Sequence, residues 1–176
     1  MPKIIENVRG LIIDEAKRQI AENGYDAVTI RSIAKGCSIG LGTFYNYFKS
    51  KDMLIAAFLL DDWKERMDRV AHESEGENDP MAVVHRVCDE LNEFMYNYSS
   101  IFASKEAKKS FNSSVSEYHK VLRMQISEPI CKSCLAGGYP NAEFLSEFTA
   151  EATLTWTVAR KDFDELAAVL SKLFVK

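Results

Sequence analysis

The residues from Gly42 to Phe48, GTFYNYF, combine two small residues with a run of aromatic and amide side chains. Phe44 and Phe48 lie four residues apart, so on a helix they share one face and can dock it against a core. The polar side chains that then point outward are Thr43, Asn46 and Tyr47. Such groups hydrogen-bond to base edges and phosphates, and Gly42 allows close approach of its backbone to a phosphate. We expect nucleic-acid contacts on this face.

Other side chains with chemical potential are the histidines and cysteines. His85 and Cys88 share one predicted helix face and Cys131 and Cys134 share another, which in principle makes a four-coordinate zinc site and a metal- or thiol-sensing protein. Because a Cys-x-x-Cys pair inside a helix lacks the usual presenting turn, buried thiols are the alternative interpretation. We expect neither a metal nor a cofactor.

An enzyme finds little support in the sequence. The three histidines are scattered, and the chain contains no glycine-rich phosphate loop, nucleophile elbow or paired carboxylates. A helical adaptor that does not bind DNA is a further alternative. It requires that the acid-free basic stretch at residues 29–51 has no role in binding. We predict a protein that is not an enzyme.

Charge is distributed unevenly along the 176 residues, whose formal net charge is -4. Residues 1–52 carry eight Lys and Arg against six Asp and Glu, whereas the remainder carries fourteen against twenty. Residues 29–51 contain four basic side chains and no acid. This window favours phosphate locally although the whole chain is acidic. No segment has the run of about 18 apolar residues that a membrane span needs, so we expect a cytoplasmic protein with no membrane partner.

Apolar residues recur at helical spacing throughout, and no segment alternates with a two-residue period. The pattern predicts an all-α protein of about nine helices. Two short helices, at 30–35 and 41–48, follow a longer one that ends near Gly24, and a long helix runs from Lys51 to about His72. Further helices are expected at 80–98, 102–111, 114–136 with a kink at Pro129, 141–159 and 162–175. We place an N-terminal domain at 1–50 and a second domain at 51–176.

The stretch VTIRSIAKGCSIGLGTFYNYFKSKDML resembles the N-terminal signature of the TetR transcriptional regulators. It covers roughly the first 55 residues and implies a helix-turn-helix in which the second short helix enters the DNA major groove. The resemblance implies that Thr29 and Arg31 meet the DNA backbone and that Tyr47 and Lys51 hold flanking phosphates. The residues implied to face the groove are Leu41, Gly42, Thr43, Tyr45 and Asn46.

The sequence departs from the family pattern in two ways. The turn usually carries Gly and then Ser, where this chain has Ser38 and Gly40. Gly40 is the weaker helix N-cap because it has no side-chain oxygen. Leu41 replaces a residue that is often basic, and its side chain is suited to a thymine methyl group.

The second domain is rich in aromatic residues, which can line an apolar cavity or simply pack a core. The candidate pocket residues are Phe94, Tyr98, Phe102, Phe111 and Tyr118. In the family that the chain resembles, such a cavity receives a small-molecule inducer. The resemblance implies a ligand-responsive regulator, in most cases a repressor, that binds operator DNA.

The last two predicted helices are more apolar than surface helices need to be, so we expect them to form a homodimer interface. The candidate interface residues are Phe144, Phe148, Ala152, Trp156, Phe163, Leu166, Leu170 and Phe174. A two-fold axis would then pair two recognition helices on a pseudo-palindromic operator. We further expect an effector to change the spacing of the two DNA-binding heads through the helix from Lys51 to His72.

Overall fold

The computed structural model describes residues 7–107 and 115–175, with side chains from His119 onward in the second range. These residues form helices, turns and loops without a strand, which confirms the all-α prediction. None of the described helices is both long enough and apolar enough to cross a membrane. The helices are α1 (Val8–Asn23), α2 (Ile30–Gly36), α3 (Leu41–Tyr47), α4 (Lys51–Glu73), α5 (Pro80–Asn97), α6 (Ser99–Ala103), α7 (Val115–Gly137), α8 (Ala142–Val158) and α9 (Phe163–Leu170).

Helix α1 buries an apolar face that includes Ile12, Ala16 and Ile20. Its C-terminus is capped as the sequence predicts, because Gly24 has a φ of 78° and its N–H donates to the carbonyl of Ile20 at 2.9 Å. Glycine adopts this positive φ without steric cost. The chain therefore leaves α1 sharply and can return as α2.

Helices α2 and α3 are each seven residues long and are joined by a tight turn. Thr29 caps α2 through a reciprocal pair of hydrogen bonds with Ser32, and Gly40 caps α3 without any side-chain bond. Ser38, within the turn, has a φ of 55°, a left-handed conformation that costs a non-glycine residue roughly 1 to 2 kcal/mol. The sequence prediction that Gly40 provides the weaker kind of cap is confirmed.

The described chain divides into two compact units. Unit 1 contains the described residues up to Asp61 together with residues 98–107. Unit 2 contains residues 62–97 and 115–175. The boundary falls within α4, which is continuous from Lys51 to Glu73. The division into folding domains at residue 50 remains a prediction.

Residues 98–107 are part of the core of unit 1 although they lie far downstream in the chain. Ile101 and Ala107 are buried in the same apolar cluster as Ile12, Phe44 and Phe58. The Tyr98 ring packs 5.7 Å from the Phe58 ring, measured between centroids. Four helices of the N-terminal region and this later segment together form one core.

The predicted helix from 102 to 111 is wrong at its start. Helix α6 spans Ser99–Ala103 and ends at Ser104, which is not helical. Residues 105–107 are helical again. The Ser104 hydroxyl accepts from the N–H of Ala107 at 3.1 Å and donates to Asp26 Oδ1 at 2.6 Å. A serine that caps a new helix interrupts the old one, because its side chain replaces the backbone bond. Residues 108–111 lie outside the described residues.

Unit 2 is built from α5, α7, α8, α9 and the second half of α4. Helix α7 runs through Pro129, and α8 buries small and hydroxyl residues where it faces α7 and α5. The buried set on α8 is Ala142, Ser146, Thr149, Ala150, Thr153, Leu154 and Thr157. The last helix ends at Leu170 and not at 175 as predicted, because a turn begins at Ser171.

Candidate nucleic-acid interface

The outer face of α3 is polar and accessible, while its inner face is apolar. Phe44 and Phe48 are buried as predicted. Exposed fractions are 39% for Leu41, 44% for Tyr45 and 47% for Tyr47. Asn46 and Gly42 are also exposed, Thr43 is half-buried, and a Cβ atom added to Gly42 would meet no atom within 4 Å. Five side chains and one open stretch of backbone therefore lie together on one short helix.

Sequence periodicity alone assigned Thr43, Asn46 and Tyr47 to the outer face and left Tyr45 to the family resemblance. The structure places Tyr45 outside as well, with its ring edge-to-face against Phe44 at 5.8 Å between centroids. The aromatic contact holds the Tyr45 ring against the helix while its hydroxyl remains free to reach a partner.

Exposed cations flank α3. Arg31 and Lys35 on α2 are exposed, and Lys49 is exposed just after α3. The Lys49 ammonium donates to the carbonyl of Tyr45 at 2.8 Å, where it sits at the C-terminal end of α3. A cation at this end is favourable to the helix dipole and also adds to the positive field of the interface.

Lys51 is placed differently from the other cations. Its ammonium donates to the carbonyl of Tyr25 at 2.7 Å and lies 3.7 Å from the centroid of the Tyr25 ring. Burial lowers the pKa of Lys51. The pKa of Tyr25 is raised, mainly by burial and also by its hydrogen bond to Asp52. The bond to Tyr25 uses one of the three donors of the Lys51 ammonium, and the phosphate contact remains a prediction.

Gln19 is a residue of the interface region that sequence reasoning missed. Its side chain is nine-tenths buried between α1 and α2 and bonds to Ser32. The available signal was a polar residue placed next to Ala16 and Ile20 on the apolar face of α1. An amide on such a face must find partners, because an unpaired buried amide costs roughly 1 to 3 kcal/mol.

The candidate pocket residues do not gather into one described site. Phe94 is buried in unit 2 against Trp63, with ring centroids 5.4 Å apart, whereas Tyr98 and Phe102 belong to unit 1. Phe111 and the Tyr118 side chain lie outside the described residues. An effector cavity lined by these residues remains a prediction.

The four candidate metal ligands are not assembled. Among the described residues, all four included, no group of three or more His, Cys, Asp or Glu side chains could hold a metal ion. His85 is exposed and packs edge-to-face on Phe163, while Cys88 accepts from the Asn92 amide at 3.4 Å. Cys134 is buried and Cys131 is half-buried, and burial raises the pKa of both Cys88 and Cys134. In the part of the chain that the structure describes, these four side chains are not brought together as a tetrahedral site.

The candidate dimer residues separate into two groups. Phe144 and Phe148 stack on each other and are 68% and 49% exposed, and Phe163, Phe174, Ala152 and Trp156 are half-buried. Leu166 and Leu170 are buried inside the protomer, so their assignment to a surface is wrong. They lie on the inward face of α9, where the four-residue spacing puts them on one stripe.

Helices α2 and α3 form a helix-turn-helix, in which the capped α2 supports an α3 with a polar outer face. Residues 12–58 match the family model of bacterial regulatory proteins of the tetR family. The N-terminal residues 12–58 therefore match the tetR-family helix-turn-helix, as the sequence resemblance implies.

One similar curated protein is the HTH-type transcriptional regulator UidR of Escherichia coli K12. It is 35% identical over 68 residues, a match that covers 39% of this chain and about a third, 35%, of UidR. Two similar solved structures are RolR in complex with resorcinol and FadR of Bacillus subtilis in complex with stearoyl-CoA. RolR has a TM-score of 0.64 at 22% identity and covers 94% of this chain and 86% of its own. FadR has a TM-score of 0.52 at 20% identity and covers 95% of this chain and 97% of its own. At these identities the two structures establish the fold.

Proposed function

We propose that this chain is a ligand-responsive transcriptional regulator that binds operator DNA through α3 and is not an enzyme. The observation that carries the proposal is the outer face of α3, which exposes Tyr45, Asn46 and Tyr47 while Phe44 anchors the helix. This face lies in an acid-free stretch with exposed cations on either side. A short helix of this composition fits the major groove, where amide groups read base edges and phosphates bind cations.

Within this proposal, the side chains divide the work. Asn46 and Thr43 read bases, Leu41 contacts a thymine methyl group, and Gly42 allows the backbone to approach a phosphate. Contacts to the DNA phosphate backbone, which are independent of base sequence, come from Tyr47, Thr29, Arg31 and Lys51.

The proposed active species is a homodimer. Phe144 and Phe148 expose a stacked aromatic pair on α8, and Leu135 on α7 is also strongly exposed. Apolar side chains of this size on neighbouring helices are a liability in a monomer and are covered in a dimer. A two-fold axis through this surface presents two copies of α3 to a pseudo-palindromic operator.

The proposed effector is a small organic molecule that unit 2 binds and whose binding lowers operator affinity, so the free protein is a repressor. Two features support the route by which it acts. Helix α4 contributes residues to both units, and the chain returns from unit 2 to unit 1 at residues 98–107. Coupling of this kind is typically about 1 to 3 kcal/mol and is reciprocal, so operator DNA must weaken effector binding by the same factor.

The deciding experiment begins with selection of bound fragments from genomic DNA by the purified protein, followed by titration of the selected operator. We expect Asn46→Ala to cost about 1 to 3 kcal/mol at the operator and to leave unrelated DNA unaffected. Lys51→Ala weakens all DNA alike and removes about one counterion from the salt dependence if its ammonium reaches a phosphate. Lys64→Ala, an exposed cation of α4 in unit 2, is the matched control. A wild-type protein that binds no fragment in a salt-dependent manner contradicts the proposal and favours a helical adaptor.

Effector response is tested with resorcinol and stearoyl-CoA, the ligands of the two similar structures, as first probes. A probe that binds tightly and leaves the operator dissociation constant unchanged contradicts the proposed coupling.

The dimer is tested by sedimentation, where a monomer at micromolar concentration is the contradicting result.

A further inference from the structure

A row of polar contacts joins α1 to α2. The Gln19 amide nitrogen donates to the carbonyl of Ser32 at 3.0 Å, and the Gln19 amide oxygen accepts from the Ser32 hydroxyl at 2.6 Å. Gln19 thus binds both a backbone group and a side-chain group of one residue. Because its side chain is nine-tenths buried, these bonds are shielded from competing water.

Ser32 passes this restraint on to the start of α2. The Thr29 N–H donates to the Ser32 hydroxyl at 3.0 Å, and the Ser32 N–H donates to the Thr29 hydroxyl at 3.0 Å. The Gln19 amide is therefore one bond away from the reciprocal cap that begins α2. The residues carried on this first turn are Thr29 and Arg31, both exposed.

A second anchor lies one helical turn away on each helix. Glu15 accepts hydrogen bonds from Nε and Nη2 of Arg18 and from the Gln19 amide nitrogen, the last at 2.6 Å. These hydrogen bonds lower the pKa of Glu15. A Cβ atom added to Gly36 would collide with the Glu15 carboxylate, so the Glu15 side chain lies against the C-terminal end of α2. Gln19 and Glu15, four residues apart on α1, therefore lie against positions four residues apart on α2.

Helix α2 needs such support. An isolated helix of seven residues is not stable in water, because nucleation is unfavourable and few bonds follow it. The orientation of α2, and with it the direction in which Arg31 points, must come from tertiary contacts. These contacts are the burial of Ile33 and Ala34 in the core of unit 1 and the hydrogen bonds of Gln19.

From these contacts we infer that Gln19 is a positioning residue for DNA binding: it holds the first turn of α2 so that Thr29 and Arg31 meet the phosphate backbone. The inference rests on the proposed function. Gln19 itself touches no DNA in this role, and it acts through Ser32.

The test is a double-mutant cycle between Gln19→Met and Arg31→Ala, with operator affinity measured over a range of salt concentrations. Methionine has a similar length and keeps the packing while it removes all the amide hydrogen bonds. In the wild-type background we expect Arg31→Ala to weaken binding and to reduce the salt dependence by about one counterion. In the Gln19→Met background the salt dependence is already reduced. Arg31→Ala then changes the affinity less than about twofold, because a misplaced guanidinium contributes little to phosphate binding.

A merely structural glutamine gives a different result. If Gln19 contributes only to stability, Arg31→Ala lowers affinity by the same factor in both backgrounds, and this additivity overturns the inference. An Arg31→Ala variant that binds like the wild type also overturns it. Gln125→Met, a half-buried glutamine of α7 in unit 2, is the control and should leave affinity and salt dependence unchanged.

Ser32→Ala provides a second route if Gln19→Met fails to fold. This variant removes the hydroxyl that links Gln19 to the Thr29 N–H and retains the Gln19 bond to the Ser32 carbonyl. We expect the same loss of coupling to Arg31, and unchanged coupling overturns the inference. Failure of the proposed function is distinguishable, since the wild-type protein then shows no salt-dependent binding at all.

Discussion

Helices α3 and α8 place their aromatic residues in opposite ways. On α3, Phe44 and Phe48 point into the core of unit 1 and the polar side chains face outward. On α8, Phe144 and Phe148 face outward, while threonines, serine and alanines are buried. The hydroxyls of Thr149 and Thr153 are buried and have no hydrogen-bond partner among the described residues.

The contrast matches the two partners of the proposed function. A polar outer face beside exposed cations suits DNA, whose contacts are mainly hydrogen bonds and ion pairs. An aromatic outer face suits a second protein surface, since stacked aromatic rings dominate the energetics of protein interfaces. The four predictions that follow test this contrast, from the largest expected effect to the smallest.

Replacing Phe44 with alanine should destabilise unit 1 by about 3 to 5 kcal/mol, because the change opens a cavity at a fully buried site. The free energy of unfolding is measured by urea denaturation. The same change at Phe144, which is mostly exposed, should leave the unfolding of the protomer within about 0.5 kcal/mol of wild type. Equal losses at the two positions would contradict the assignment of inner and outer faces.

Phe148→Ala should weaken self-association by about 2 kcal/mol or more, because an aromatic residue at the centre of an interface is a typical hot spot. Sedimentation over a range of concentrations gives the dimer dissociation constant. Tyr96→Ala removes a strongly exposed aromatic residue of α5 and serves as the control. An unchanged dissociation constant for Phe148→Ala places the dimer interface elsewhere.

Ser104→Ala should cost unit 1 about 1 to 2 kcal/mol, since it removes both the bond to Asp26 and the cap on the Ala107 N–H. The comparison is Ser127→Ala on α7, whose hydroxyl donates to the Met124 carbonyl of its own helix. Hydrogen exchange at α1 and α2 measures the effect within unit 1. Unaltered protection there would argue that residues 98–107 do not support the helix-turn-helix.

Ser38→Gly should stabilise the protein by about 0.5 to 1 kcal/mol, because glycine relieves the left-handed strain but adds freedom to the unfolded chain. Gly24→Ala, also at positive φ, should change stability in the opposite direction. Thermal unfolding of the two variants gives the signs. A destabilising Ser38→Gly change shows that the serine makes a compensating contact.

The helix-turn-helix could be predicted because its signals are local. The cap at Thr29, the turn from Cys37 to Gly40 and the four-residue spacing of Phe44 and Phe48 act over fewer than ten residues. The outer face of α3 follows from the same periodicity. The sequence also predicted Gly24 as the end of α1, because only the conformational freedom of that residue was needed.

The remaining features depend on contacts between residues far apart in the chain, which no local pattern encodes. The membership of residues 98–107 in unit 1 rests on Ile101 and Ala107 joining the core formed by α1 to α4. The direction of the Lys51 ammonium is set by the Tyr25 carbonyl, twenty-six residues away.

The apolar character of the last two helices was a property of the sequence, but which side chains face inward was not. Both Leu170 and Phe148 are apolar, and only the packing of α9 and α8 within unit 2 buries the first and exposes the second. The sequence by itself determined most of the helices, the cap at Thr29 and the polar outer face of α3. Only the tertiary structure decided that Gln19 bonds to Ser32 of α2 and that Phe144 and Phe148 remain exposed, since both depend on where separate helices meet.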